Sequence, residues 1–191
     1  MIAWRDVTPK SALQGALLVL DRLTWTLGGV FQWICNLCLL IMLTLTTVTI
    51  VGRPLGFSAY WIWPWTMVFF VWLSFFGFFA IFVRLKDVRV DFVANRLGRW
   101  GYPATRLVTD LAALAVCGVI LVEIPTVLAT SRGFVDGAIL PGGDELFRQA
   151  LSIPLFFSAA LIVLSALMDL GKMAVGLPEN INAHTALNIE T

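Results

Sequence analysis

The sequence predicts an all-α membrane protein: four transmembrane helices, with both ends of the chain on the cytoplasmic side. Three observations carry that expectation. Apolar residues make up 59% of the 191 positions and charged residues only 13%, about half the charged share of a soluble globular domain. Four long apolar segments contain a single charge between them, Glu123. The basic residues, finally, gather in alternate connections between those segments. A soluble fold of this size cannot cover its surface with so few charges. Composition thus excludes a soluble domain, a disordered chain and a nucleic-acid binder. The net charge is +1, so only the distribution of charge carries information.

The elements follow in chain order. Leu13, Leu17 and Leu20 fall on one helical face, with Gln14, Asp21 and Arg22 elsewhere. That pattern suits a short N-terminal amphipathic helix lying along the inner membrane surface. Leu23–Gly52 carries no charge, nor does Pro54–Val83. Each is long enough for one tilted span of about 20 residues and too short for two. The first starts too far from the N-terminus, and runs too long, to be a signal-peptide core. Leu111–Ser131, with Glu123, supplies the third span and Gln149–Met168 the fourth. The expected spans are 27–50, 60–83, 108–130 and 149–169 within one domain over residues 1–176, followed by an unstructured cytoplasmic tail over 177–191. Nothing alternates with the period of 2 that barrel strands require. There is no internal repeat.

Basic residues fix the expected orientation. Ten of them lie before the first span, between the second and third, and after the fourth: Arg5, Lys10, Arg22, Arg84, Lys86, Arg89, Arg96, Arg99, Arg106 and Lys172. The opposite side has three, Arg53, Arg132 and Arg148. The positive-inside rule then places both termini in the cytoplasm. Tyr60, Trp61, Trp63 and Trp65 cluster where the second span meets the outer interface, the depth at which amphipathic rings settle, or pack there against a partner. Between the second and third spans, Val88, Phe92, Val93 and Leu97 follow helical spacing among cations. This reads as a cytoplasmic amphipathic segment whose Arg84, Lys86, Arg89, Arg96 and Arg99 lie near anionic headgroups; a solvated loop is the alternative.

Most catalytic chemistry is absent. The lone histidine, His184, sits in the polar tail, so a haem held by paired imidazoles inside the bundle is excluded. Cys35 and Cys38 form a C-x-x-C, but inside the first span, where a thiolate is costly and no helix N-terminus activates it. Cys117 lies inside the third. All three read as small packing residues. With no zinc-ligand spacing, phosphate loop or serine–histidine pair, neither an enzyme nor a bound cofactor is expected.

The remaining polar features point to packing. Gln32 and Asn36 stand one turn apart on a face that Leu43 and Thr47 continue, and buried amides in lipid seek protein partners. Ser74, Gly77 and Ala80 recur every third residue among bulky phenylalanines, a pattern that allows close helix approach. Glu123 is the one carboxylate deep in an apolar stretch. It either pairs with Arg132 or a partner chain, takes up a proton, or reaches the outer headgroups. A transporter core shows broken helices, repeats or several polar groups around a mid-membrane site. Here the inventory fits a helper subunit that packs against something larger.

The stretch Trp65-Thr-Met-Val-Phe-Phe-Val-Trp-Leu-Ser-Phe-Phe-Gly77, then Ile81-Phe-Val-Arg84 and Val88-Arg-Val-Asp91, resembles the signature of the small membrane subunit of tripartite ATP-independent periplasmic (TRAP) transporters, the DctQ-like family. Length, span number and the position of both ends match over nearly the whole chain. The chain departs from the family pattern at Trp63-Pro64-Trp65, where acidic residues are frequent, at Arg89, where a histidine is frequent, and in a longer Thr130–Gln149 loop. The resemblance implies a fixed scaffold in the bacterial inner membrane, gripping a large DctM-like permease whose elevator domain carries the solute. It further implies a periplasmic binding protein that delivers an organic acid and touches the complex transiently, at the Thr130–Gln149 loop, and a sodium gradient whose ions bind the permease and not this chain. Two other classes stay open on the residues alone: a small homo-oligomeric channel or exporter, and a membrane anchor of a respiratory enzyme.

Overall fold

A computed structural model describes residues 11–56, 59–84 and 101–177. Helix α1 spans Ala12–Gly52 and α2 spans Ile62–Arg84. Helix α3 spans Gly101–Val122, and the short α4 spans Ile124–Thr130. Strands β1 (Phe134–Ile139) and β2 (Glu145–Phe147) lead to helix α5, Gln149–Ala174. Four of the helices are long and apolar enough to cross a membrane. The expected amphipathic segment between the second and third spans, with Lys86, Arg89, Arg96 and Arg99, lies outside the described residues, as does the tail beyond Leu177.

Helix α1 begins where Ser11 caps it: the Ser11 Oγ accepts the Gln14 N–H at 3.2 Å, filling one of the donors a helix start leaves open. It then runs unbroken for 41 residues, about 60 Å at 1.5 Å per residue and twice the thickness of the hydrocarbon. The separate interfacial helix expected over Leu13–Leu20 is therefore not a separate element. No proline interrupts the chain there, and Gly15 stays within the helix. Leu17 packs against Gly171 of α5, its methyl 3.6 Å from where a Cβ would stand. At the far end Arg53–Leu55, with Pro54 in it, forms a single 3-10 turn, and Gly56, at φ +76°, turns the chain toward α2. Helix α5 ends on Gly176 at φ +74°. There the Leu177 N–H reaches the Lys172 carbonyl at 2.8 Å and the Gly176 N–H the Met173 carbonyl at 3.2 Å, the paired bonds of a Schellman stop.

The third span is divided. Pro125 has no N–H to offer the preceding turn, and the chain leaves α3 at Glu123 before resuming as α4. The Thr130–Gln149 connection, expected as a loop in an otherwise helical chain, contains a β-hairpin. Phe134 pairs with Phe147 and Ile139 with Glu145, and the two phenylalanine rings lie 5.0 Å apart. Its turn closes through the Leu140 N–H on the Asp144 carbonyl at 2.8 Å.

The helices meet around aromatic rings flanked by small residues. Phe31 of α1 packs edge-on to Phe76 and Phe79 of α2, at 5.2 and 5.0 Å, and stacks on Phe157 of α5 at 5.8 Å. Ala80, Cys117 and Ala159 complete the buried cluster with Val83 and Ile162. Dispersion, not the hydrophobic effect, rewards such packing in lipid, so shape decides it. Ser74, Gly77 and Ala80 were expected to receive another helix, and the latter two receive one from this chain. Gly77 faces Cys35 of α1, and Ala80 lies in the core. The Ser74 hydroxyl bonds back to the Phe70 carbonyl at 2.9 Å.

One backbone defect is repaired by a side chain. Pro154 lies inside α5 and cannot donate to the carbonyl of Ala150, four residues earlier. The Trp72 indole N–H of α2 donates to that carbonyl instead, at 3.1 Å. This joins α2 to α5 by a hydrogen bond that only the proline makes available. Trp72→Phe should lower stability by about 1–3 kcal/mol, and Pro154→Ala should remove most of that loss by restoring a backbone donor. Thermal unfolding of the detergent-solubilised single and double variants measures the coupling. An equal loss in both backgrounds would show that the indole acts in some other way.

Candidate functional site

At the end of the bundle where α1 and α3 begin and α2 and α5 finish, charged residues converge in two tethers. The first joins three helices. Arg106 of α3 grips Asp169 of α5 through both arms of its guanidinium, Nε to Oδ2 at 2.9 Å and Nη2 to Oδ1 at 3.0 Å. The same Nη2 also donates to the Asp169 carbonyl at 3.2 Å, and Nη1 to the Leu177 carbonyl at 3.3 Å. Lys172, one turn beyond Asp169, lies 3.1 Å from its carboxylate and 2.6 Å from that of Asp21 on α1. Asp169 is 0% exposed, Lys172 4% and Arg106 8%. Asp110, a further turn along Arg106's face of α3, is buried as well.

Taking such ions out of water is costly, and their attraction repays it only when geometry is good and the remaining donors are filled. Here both conditions hold. The fork of Arg106 matches the carboxylate, and backbone carbonyls take two more of its N–H groups. The cluster fixes the relative depth of α1, α3 and α5, because a shift of one turn would strand a charge.

The second tether joins α1 to α2. Arg84 donates from Nη1 to the Gln32 Oε1 at 2.7 Å and lies 5.3 Å over the Trp25 ring, a stacked cation on an aromatic face. Its path is opened by Gly28 and Gly29. A Cβ on Gly29 would stand 2.7 Å from the Arg84 Nη2, and one on Gly28 3.2 Å from Val83. Arg84 and Gln32, which the sequence assigns to headgroups and to a partner, are thus brought together. Asn36, one turn from Gln32, is exposed on the outside of the bundle and has no hydrogen-bond partner among the described residues. Leu43 and Thr47 continue that outward stripe.

At the opposite end, Tyr60, Trp61 and Trp63 are 88%, 48% and 68% exposed. Trp65 differs: its indole N–H donates to the Ile139 carbonyl of β1 at 3.1 Å. Gly137, at φ +78°, brings the hairpin backbone so close to Pro64 that a Cβ would meet that ring at 3.1 Å. The hairpin is therefore seated on the start of α2. Glu123 is exposed at the α3–α4 break, and no ion pair to Arg132 forms among the described residues.

The positive-inside count takes Arg106 and Lys172 as loop charges and does not single out Asp110 and Asp169. The signal was present: Asp169 and Lys172 stand at i, i+3, and Arg106 and Asp110 at i, i+4. Opposite charges so near the ends of two different spans mark one membrane depth. The glycine pair 28–29, opposite the arginine closing α2, was a second such signal. Chemically the arrangement holds and does not transform. The sulfhydryl of Cys35 donates to the Leu73 carbonyl at 3.6 Å and Cys38 is buried. Among the described residues no group of three histidines, cysteines or carboxylates is placed to hold a metal.

Asp169→Asn, which removes one anion from between two buried cations, should cost about 3–5 kcal/mol. The apolar double variant Arg106→Met/Asp169→Leu should lose less than either single change. Thermal denaturation of the purified variants decides this; a single variant as stable as the parent would show that the cluster does not hold the helices.

The family model for the DctQ component of tripartite ATP-independent periplasmic transporters matches residues 42–175, well over half of the chain. The match covers the end of α1, the whole of α2 to α5 and the hairpin. No curated protein and no solved structure matches the chain. A multi-pass membrane bundle tied by buried charge, and matched across its last three spans, belongs to the DctQ family: it is the small membrane component of a TRAP transporter, not an enzyme.

Proposed function

We propose that this chain is the static brace of its transporter, holding the large permease subunit through the outward face of α1. Its charge-rich end, with both termini, faces the cytoplasm of a bacterial inner membrane, a placement that the excess of basic residues there supports. The permease binds sodium and carries the solute, an organic acid delivered by a periplasmic binding protein. This chain holds no cofactor.

The observation that carries the reading is the unequal burial of the spans. Only 6% of the most apolar window of α1 is buried inside the chain, against 39% for α5. Helix α1 touches its neighbours along one edge and presents Trp33, Asn36, Leu40 and Leu43 outward. Its threonines do not need a partner, since Thr44, Thr46, Thr47 and Thr49 each donate to the carbonyl four residues back at 2.8–2.9 Å. The Asn36 amide does. An amide left facing hydrocarbon is unfavourable, whereas one facing a helix of the permease finds donors and acceptors. Meanwhile the two tethers fix α1 on the remaining helices, so that a load on its outer face passes to the whole bundle.

Leu43→Trp places a ring where a second helix must approach and should abolish co-purification of the permease with the tagged chain. Val119→Trp, on a face of α3 that is also exposed, should leave co-purification intact. If both variants retained the permease equally, α1 would not be the gripping surface.

A further inference from the structure

A second surface feature lies at the other end of α1, about 90° around the helix from the Asn36 stripe. There the close of α1 and the start of α2 diverge around a cavity of about 460 Å³, lined by Thr46, Thr49, Ile50, Arg53, Tyr60 and Trp63 among others. That volume lies within the range of about 300–1,000 Å³ seen for ligand sites. The cavity has two zones. Along its depth the threonine hydroxyls of Thr46, Thr49 and Thr66 donate to their own helices at 2.8–2.9 Å. Their methyl groups and Ile50 are what remains to face an occupant, so this wall suits a hydrocarbon chain. At its mouth stand Arg53, whose side chain has no partner among the described residues, and the phenol of Tyr60.

The connection between two spans puts this mouth at the depth of the lipid phosphates. Among the described residues no carboxylate lines the cavity. A zwitterionic headgroup would bring an ammonium that finds no anion, while a headgroup of net negative charge meets Arg53 alone. We infer that this cavity is a binding site for one anionic glycerophospholipid: Arg53 and Tyr60 hold its phosphate, and one acyl chain lies between α1 and α2. The inference goes beyond the brace reading and does not depend on it, because the site lies within this chain.

The chain, purified with its transporter and reconstituted in nanodiscs of equimolar phosphatidylglycerol and phosphatidylethanolamine, is released for native mass spectrometry. One phosphatidylglycerol should be retained per chain in preference to phosphatidylethanolamine. Arg53→Gln should weaken that retention roughly tenfold, the worth of a charge-assisted hydrogen bond, and Arg53→Lys should keep most of it. Independently of any variant, phosphatidylglycerol bearing a photoreactive acyl chain should label the segment from Thr46 to Thr66, and excess phosphatidylglycerol, but not phosphatidylethanolamine, should compete. Equal retention of the two lipids, retention indifferent to Arg53→Gln, or labelling absent from this segment because the permease fills the cavity would each overturn the assignment.

Discussion

Hydrocarbon supplies no hydrogen bonds, so each polar group within the bilayer must find a partner in protein or reach the headgroups. Most of what is particular to this chain follows from that constraint. At one end Asp21, Arg106, Asp169 and Lys172 are matched to one another at 2.6–3.1 Å. The carbonyl freed by Pro154 is taken by an indole from another helix. The threonines of α1 turn their hydroxyls onto their own backbone. Where a polar group is left facing outward, as at Asn36 and Arg53, the constraint points to a molecule that belongs there.

Rigidity and exposure are divided between the two parts of the bundle. Helices α2, α3 and α5 surround the aromatic core with Phe31, while α1 runs along their edge and extends well past one bilayer thickness. The clasp of Asp21, Arg106, Asp169 and Lys172 and the Arg84–Gln32 bond hold that long helix at two levels. A helix so tied, yet open over most of its surface, is suited to passing a partner's load to a fixed body. At the other end the hairpin links α4 to α5 and is seated on Pro64 and Trp65 at the start of α2.

Much of this was legible in the sequence because apolar length and charge placement act locally. Four charge-poor segments form four long helices, and the excess of aromatics at the start of α2 is plain in the sequence. Three features were not legible, each for a physical reason. The way the start of α1 sits on the bundle rests on Leu17 meeting Gly171 and Asp21 meeting Lys172, contacts across more than a hundred residues. The hairpin rests on short strands whose partner is a side chain and a proline of α2, not a third strand. The clasp was hidden because Arg106 and Lys172 fit the orientation rule as loop charges, and a rule that counts cations does not ask what lies opposite them. In the small-residue row of α2, Gly77 faces Cys35 of α1 and Ala80 lies in the core, contacts that the spacing alone does not assign.

The central claim, that α1 grips a larger partner while the other helices hold it still, is tested most directly by site-specific photo-crosslinking in membranes. A photoreactive residue is placed in turn at Trp33, Leu40 and Leu43 on α1 and at Val108 and Val119 on α3. The account predicts crosslinks from the α1 positions to the large multi-span permease and none from the α3 positions. Crosslinks from α1 only to lipid or to a second copy of this chain, with the permease captured from α3, would contradict it.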